Sequence, residues 1–307
     1  MRNLFIETLT ELAQEDERIV LLTGDLGFTV LEPFAERFPD RFYNAGVAEQ
    51  NMVGMATGLA EAGFIPFAYS IATFASMRPY EFIRNGPVLH RLPVRIVGIG
   101  GGFDYGHNGA THYALEDVGV LRTQPSLGIV VPADDNHARS ALIETYALPQ
   151  PFYYRISKTN ASVPGLERGF ELGRLAVLRE GTDVALIAMG PIVGEALAAA
   201  TSLERDGVSA AVALVPSFNP TPENDLVELI SGVDSVLTVE SHYRTGALGS
   251  AVAEVIADHG LGVRLRRCGI ADIPRGQTGT QGFLEAEHGI SAAGLTEVAQ
   301  SLVGSAR

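Results

Sequence analysis

Short runs of strand-type residues alternate along this chain with longer stretches of helical spacing, and the series breaks off near residue 158 and restarts near residue 176. In the first series, residues 19–22, 64–68, 94–99, 127–131 and 152–156 are compact apolar or β-branched runs, most of them closed by glycine or a polar turn. Between them, residues 3–14, 45–62, 74–89 and 135–147 carry apolar residues at spacings that predict helices. A polar stretch bearing proline and glycine, 158–176, predicts a linker. The second series predicts strands at 184–189, 210–214, 235–239 and 263–267, helices at 192–206, 223–230, 247–259 and 290–302, and a loop at 216–222. Strands that read as continuous apolar runs, joined by helices, are the pattern of parallel sheets covered on both faces. The expected fold is therefore two sequential α/β domains with mostly parallel sheets, over residues 1–165 and 176–307.

Charge and cysteine content narrow the function classes. The chain has 22 basic and 36 acidic residues in 307, a net charge of −14, which argues against non-specific binding to nucleic acid. Phosphorylated metabolites stay open, because they need only a local pair of cations. Cys268 is the single cysteine, so one chain can build neither a disulfide framework nor a multi-cysteine metal site. No secretory pattern and no apolar run long enough to span a membrane is present, so a cytoplasmic protein without membrane contact is expected.

In α/β folds, ligands gather at the carboxyl ends of the strands. The loops there that carry glycines and ionisable groups are 23–29, 44–51, 100–112 and 239–246. Gly100-Gly101-Gly102 follows a strand but does not open a helix with the dinucleotide spacing, and no phosphate-binding GxxxxGK[ST] run exists. Glu49 precedes the apolar run Met52, Val53, Met55, Ala56 and Leu59. It reads either as a carboxylate complementing a helix dipole or as a partly buried acid that shares a proton with a ligand. His107 and His112 bracket Asn108-Gly109-Ala110-Thr111 at a spacing that matches no zinc signature, so substrate contact, proton transfer or a plain surface loop are the readings. No GxSxG elbow accompanies Ser157 or Ser241, and Cys268 reads as a core or loop thiol.

The ordered set Gly46-Val47-Ala48-Glu49-Gln50, Gly63-Phe64-Ile65-Pro66, Thr73-Phe74 and Gly109-Ala110-Thr111-His112 resembles the transketolase family, with deoxyxylulose-phosphate synthases and the beta subunits of 2-oxo acid dehydrogenases as relatives. The likeness covers essentially the whole chain. It matches the pyrimidine-binding and C-terminal domains and omits the domain that binds diphosphate and magnesium through a GDG…N motif. The resemblance implies a thiamine diphosphate-binding fold in the first domain. Glu49 would contact N1′ of the aminopyrimidine and promote its imino tautomer, and Phe74 would stack on that ring. Ile71 and Asp25 would be its neighbours in the cofactor site. His112, with His107 assisting, would handle substrate oxygens and protons. Arg2, Thr29, Asn108, Arg155 and Lys158 would face the substrate, and Arg2 would lie near a frayed terminus. Three positions depart from the transketolase pattern: Gly100 replaces a histidine, Asn108 an acidic residue and Ile71 an aromatic one.

The resemblance further implies transfer of a two-carbon ketol group from a ketose to an aldose, with sugars or sugar phosphates as substrates. Thiamine diphosphate and Mg2+ would be held by an N-terminal transketolase subunit in an α2β2 heterotetramer, with no metal ligands in this chain. Alone, the chain would have half-built sites. The alternatives are the beta subunit of a 2-oxo acid or acetoin dehydrogenase, and a catalytically degenerate structural or regulatory subunit.

Overall fold

The structure, a computed structural model, describes residues 1–160 and 162–304. Residue 161, inside the expected linker, and residues 305–307, at the end of the second expected domain, lie outside the described residues. The strands are β1 Ile19–Thr23, β2 Phe42–Asn44, β3 Ile65–Ile71, β4 Arg95–Ile99, β5 Gly128–Val130, β6 Phe152–Ile156, β7 Ala176–Arg179, β8 Val184–Met189, β9 Ala210–Leu214, β10 Ser217–Phe218, β11 Ser235–Tyr243 and β12 Arg264–Ile270. The helices are α1 Arg2–Glu15, α2 Glu32–Arg37, α3 Glu49–Glu61, α4 Ala72–Met77, α5 Tyr80–Ile83 and α6 Asp117–Leu121. They continue with α7 Asp135–Thr145, α8 Val193–Arg205, α9 Glu223–Ser231, α10 Leu248–Asp258, α11 Gln281–Glu287 and α12 Ala292–Gly304.

Two sheets organise the chain. One runs β10-β5-β6-β4-β3-β1-β2, the other β12-β11-β8-β9-β7. Within each, the ladders are parallel except at one edge, where β10 joins β5 and β7 joins β9 antiparallel. The central strands β1, β3, β4, β6 and β8 are buried along their whole length, which is why they appear in the sequence as unbroken apolar runs rather than as alternating ones. The fold is thus two sequential α/β units with largely parallel sheets, as the alternation predicts. No helix among the described residues is long and apolar enough to cross a membrane.

Several elements differ from the sequence reading. The loop expected at 216–222 contains β10, which pairs Ser217 with Val130 and Phe218 with Ile129 of the first sheet. It satisfies an edge that β5 would otherwise leave open, and Phe218 is fully buried in a cluster that also holds Ile129, Val131 and Leu226. The end of the expected linker contains β7. The helix expected over 74–89 is broken into α4, α5 and a wide turn at Arg84–Val88, with Pro79 between the two helices and Pro87 inside the turn. Proline cannot donate in a helix interior and its ring crowds the preceding turn. The chain start is not frayed: Met1 is buried, and its amino group bonds the Thr159 carbonyl and Asn160 Oδ1 at 2.9 Å each and pairs with Asp135 at 2.7 Å.

Candidate active site

The carboxyl ends of β1, β3 and β4 converge with the loops that follow them, and Glu49 stands among these as the first residue of α3. Local chemistry sets that start. Asn44 Oδ1 accepts hydrogen bonds from the Asp25 and Gly46 backbone N–H groups at 3.0 Å each, and its Nδ2 donates to Asp25 Oδ1 at 3.0 Å. Gly46 then turns the chain at φ +70, a conformation costly for residues with a Cβ. The helix opens three residues later. A carboxylate in a first helical turn is favoured by the helix dipole, but Glu49 is more than a capping residue: it is 2 % exposed.

Its partners come from the next strand and helix. Ser70 Oγ, on β3, lies 3.5 Å from Glu49 Oε1. Arg78, just past the end of α4, donates from one Nη1 to Oε1 at 2.9 Å and Oε2 at 3.0 Å. The same guanidinium lies over the Phe74 ring, its Cζ 3.8 Å from the centroid. Phe74 in turn meets the His112 ring edge-on, with centroids 5.3 Å apart. Glu49, Arg78, Phe74 and His112 therefore form one continuous line of contacts. His112 lies in the short turn Ala110–His112, with Nδ1 3.0 Å from Thr111 Oγ1.

The glycine loop after β4 forms the next wall. Asp104 Oδ2 accepts from the Lys158 backbone N–H at 2.8 Å and ties this loop to the end of β6. Burial raises the Asp104 pKa, and its Oδ1 is buried without a bonded partner. Tyr105 lies 6.2 Å from the His112 ring, and the Lys158 ammonium stands 4.0 Å above the Tyr105 ring. The positive charge of Arg2 acts on the hydroxyls of Tyr69 and Tyr105, both of which burial shifts upward. Two of the three cations expected at the substrate thus gather around Tyr105.

The third is committed elsewhere. Arg155 is buried; its Nε bonds Asp117 Oδ2 at 2.9 Å and its Nη2 bonds the Ala114 and Ser241 carbonyls at 2.9 and 3.1 Å. It fastens the first sheet to the β11 strand of the second, where a charge without partners would be costly. Of the other expected site residues, His107 and Asn108 are exposed in the turn Gly106–Asn108. Asp25 is exposed and paired with Asn44. Thr29 is exposed at φ +68 with its N–H on Glu32 Oε1 at 2.8 Å. Ile71 is buried and serves as the residue before α4.

Arg78 and Tyr105 are the site residues that the sequence reading passed over. For Arg78 the available signal was its position four residues after Phe74, a spacing that puts two side chains on one helical face.

A buried carboxylate beside a flat aromatic face suits a planar ring with a hydrogen-bond donor, and this chain already places such a cation there in Arg78. The residues therefore fit the aminopyrimidine half of a thiamine cofactor. Among the described residues no group of three or more His, Cys, Asp or Glu side chains could hold a metal ion.

The family of transketolase pyrimidine-binding domains matches residues 1–163, and that of transketolase C-terminal domains matches residues 173–295. The chain belongs to the transketolase family. It is 40% identical over 277 residues to a protein of Methanocaldococcus jannaschii assigned as a transketolase C-terminal section, covering 89% of this chain and 87% of that one. It is 34% identical over 304 residues to a 6-deoxy-6-sulfo-D-fructose transketolase subunit of Clostridium sp. strain MSTE9, covering 98% and 94%. Among solved structures it is similar to a split gene transketolase, an inactive beta4 tetramer, with a TM-score of 0.90, 35% identity and coverage of 99% and 98%. In transketolase terms, this chain carries the pyrimidine-binding domain followed by the C-terminal domain.

Proposed function

We propose that this chain supplies the pyrimidine half of a thiamine diphosphate site in a split transketolase, and that the assembled enzyme moves a two-carbon ketol unit from a ketose to an aldose. The observation that carries this reading is the buried Glu49 carboxylate, joined to the Phe74 ring through Arg78, in a chain with both transketolase domains. The GDG…N diphosphate motif is missing from the sequence. A second polypeptide, paired in an α2β2 assembly, would hold the diphosphate and Mg2+.

When bound, thiamine diphosphate supplies the nucleophilic carbon and the electron sink that ketol transfer requires. The chain's own residues then have separate tasks. Glu49, buried at the start of α3, would hold a proton shared with the ring nitrogen N1′. Phe74 keeps the ring plane fixed by stacking. His112, at the rim beside Phe74, is placed to donate to and accept from substrate oxygens. Lys158 and Arg2, around Tyr105, offer positive charge to the far end of a sugar with an anionic group, either phosphate or a sulfonate of the kind named for the Clostridium relative.

The test is a ketol-transfer assay of this chain with the subunit carrying the diphosphate-binding domain, across phosphorylated, sulfonated and free ketoses. Turnover should need both chains, and Glu49→Gln should lower kcat by roughly 10²-fold or more with unchanged circular dichroism. Full turnover by this chain alone, or by the Glu49→Gln pair, refutes the assignment.

A further inference from the structure

Arg78 already occupies both contacts that the proposed cofactor ring would need. A single nitrogen of its guanidinium bonds both oxygens of Glu49, at 2.9 and 3.0 Å, while the guanidinium plane covers Phe74 with Cζ 3.8 Å from the ring centroid. An aminopyrimidine is likewise planar, presents N–H and ring nitrogen to a carboxylate, and stacks on an aromatic face. Two planar groups cannot share one face of Phe74 and the same pair of oxygens.

The surroundings allow an exchange. The Arg78 side chain is 40% exposed, against 2% for Glu49, so its outer side faces open space while it roofs the acid. It follows the last residue of α4 and stands, with Pro79, in the short break between α4 and α5. That exposure leaves the long stem room to turn outward about its side-chain torsions. Among the described residues the other side chain that bonds Glu49 is Ser70, at 3.5 Å, so without Arg78 the buried carboxylate would face a weak neutral donor in place of a cation.

We infer that Arg78 is a positioning residue that stands in for the cofactor: it bonds both Glu49 oxygens and covers Phe74 before the pyrimidine ring arrives, and it swings off both when the ring is seated. This rests on the proposed thiamine diphosphate site. Loading then competes with an internal ion pair, and apparent cofactor affinity is reduced by the fraction of chains in which Arg78 sits on Glu49.

The experiment compares the assembled pair carrying wild-type Arg78, Arg78→Met and Arg78→Lys. Thiamine diphosphate binding is measured by calorimetry, alongside a crystal structure of the wild-type pair with cofactor. Methionine keeps an apolar stem over Phe74 and removes the charge; lysine keeps a charge without the planar fork. Arg78→Met should tighten cofactor binding by about tenfold, with Arg78→Lys between it and wild type. The loaded wild-type structure should show Arg78 turned away from Glu49. A gain of affinity is a result that mere structural damage does not produce. If the wild-type pair binds cofactor but Arg78→Met binds it equally or more weakly, or if Arg78 remains on both Glu49 oxygens in the loaded structure, this inference is overturned and the site assignment stands. If the wild-type pair binds no thiamine diphosphate, both fall.

Discussion

Gly100 follows β4 at φ +81, and a Cβ there would come within 2.2 Å of the Tyr105 ring. This is where the transketolase resemblance expects a histidine. The exchange has a steric reason: Tyr105 fills the space that a side chain at position 100 would claim. Gly100→Ala should therefore cost about 2–4 kcal/mol, from the left-handed backbone and the collision together, and urea denaturation reads it directly. Adding Tyr105→Ala should relieve the steric part and leave the backbone part. Equal loss with and without Tyr105 would show that the ring does not set the glycine requirement. Arg155 teaches a related lesson at the same scale. Its charge suits a substrate anion, but burial and three bonded partners assign it to the junction between the sheets.

At the scale of elements, helix limits decide where chemistry sits. Apolar spacing predicts a helix from residue 45, but Asn44 and the left-handed Gly46 delay it to Glu49, so the acid meets the helix start instead of its second turn. Strand limits decide how the halves are joined. β10 has two residues, too short for an alternating pattern to register in sequence, yet it extends the first sheet from the second half of the chain. Phe218→Ala should lose about 3–5 kcal/mol in chemical denaturation, the usual cost of removing a buried aromatic ring. It should also speed amide exchange in β5, at Ile129 and Val130, ahead of the central strands. Uniform exchange across the sheet would argue that β10 carries no special part of the fastening. On the opposite edge of the second sheet, Arg264, Arg266 and Arg267 of β12 put charge where an uncovered strand would invite pairing with another chain.

At the scale of the whole molecule, the junction between sheets holds buried acids. Burial raises Glu285 of α11 to about 7, with Asp104 of the glycine loop adding like charge. A carboxyl whose folded pKa lies above its ordinary value of 4.5 favours the folded state while protonated, so its contribution is full below about 4.5 and is lost as pH rises through about 7. The difference corresponds to roughly 3 kcal/mol at most. Buried His137 and His242, lowered to about 4, work in the other direction: their contribution is present above 6.5 and is lost as pH falls toward 4. Between about pH 4.5 and 6.5 the two histidines therefore add stability as pH rises while Glu285 loses it, and above about 7 these groups add no further slope. Glu285→Gln should raise stability at pH 8 by about 1–3 kcal/mol and change little at pH 5, as thermal unfolding at both pH values will show. A gain of the same size at pH 5 would mean that packing, not ionisation, separates the two side chains.

The alternation of buried runs with helical stretches was enough to place this chain in the two-unit α/β class, because element type follows from periodicity within a dozen residues. The ordered short motifs were enough for the family, and they pointed to Glu49, Phe74 and His112, which the structure brings into one line of contacts. Tertiary structure decided what no local pattern encodes: Arg78 reaches Glu49 across 29 positions of sequence, Arg155 turns to Asp117 and Ser241, and β10 crosses to the first sheet. Long charged side chains have many rotamers and settle where burial leaves a partner unsatisfied, and those partners are defined only once the sheets have packed.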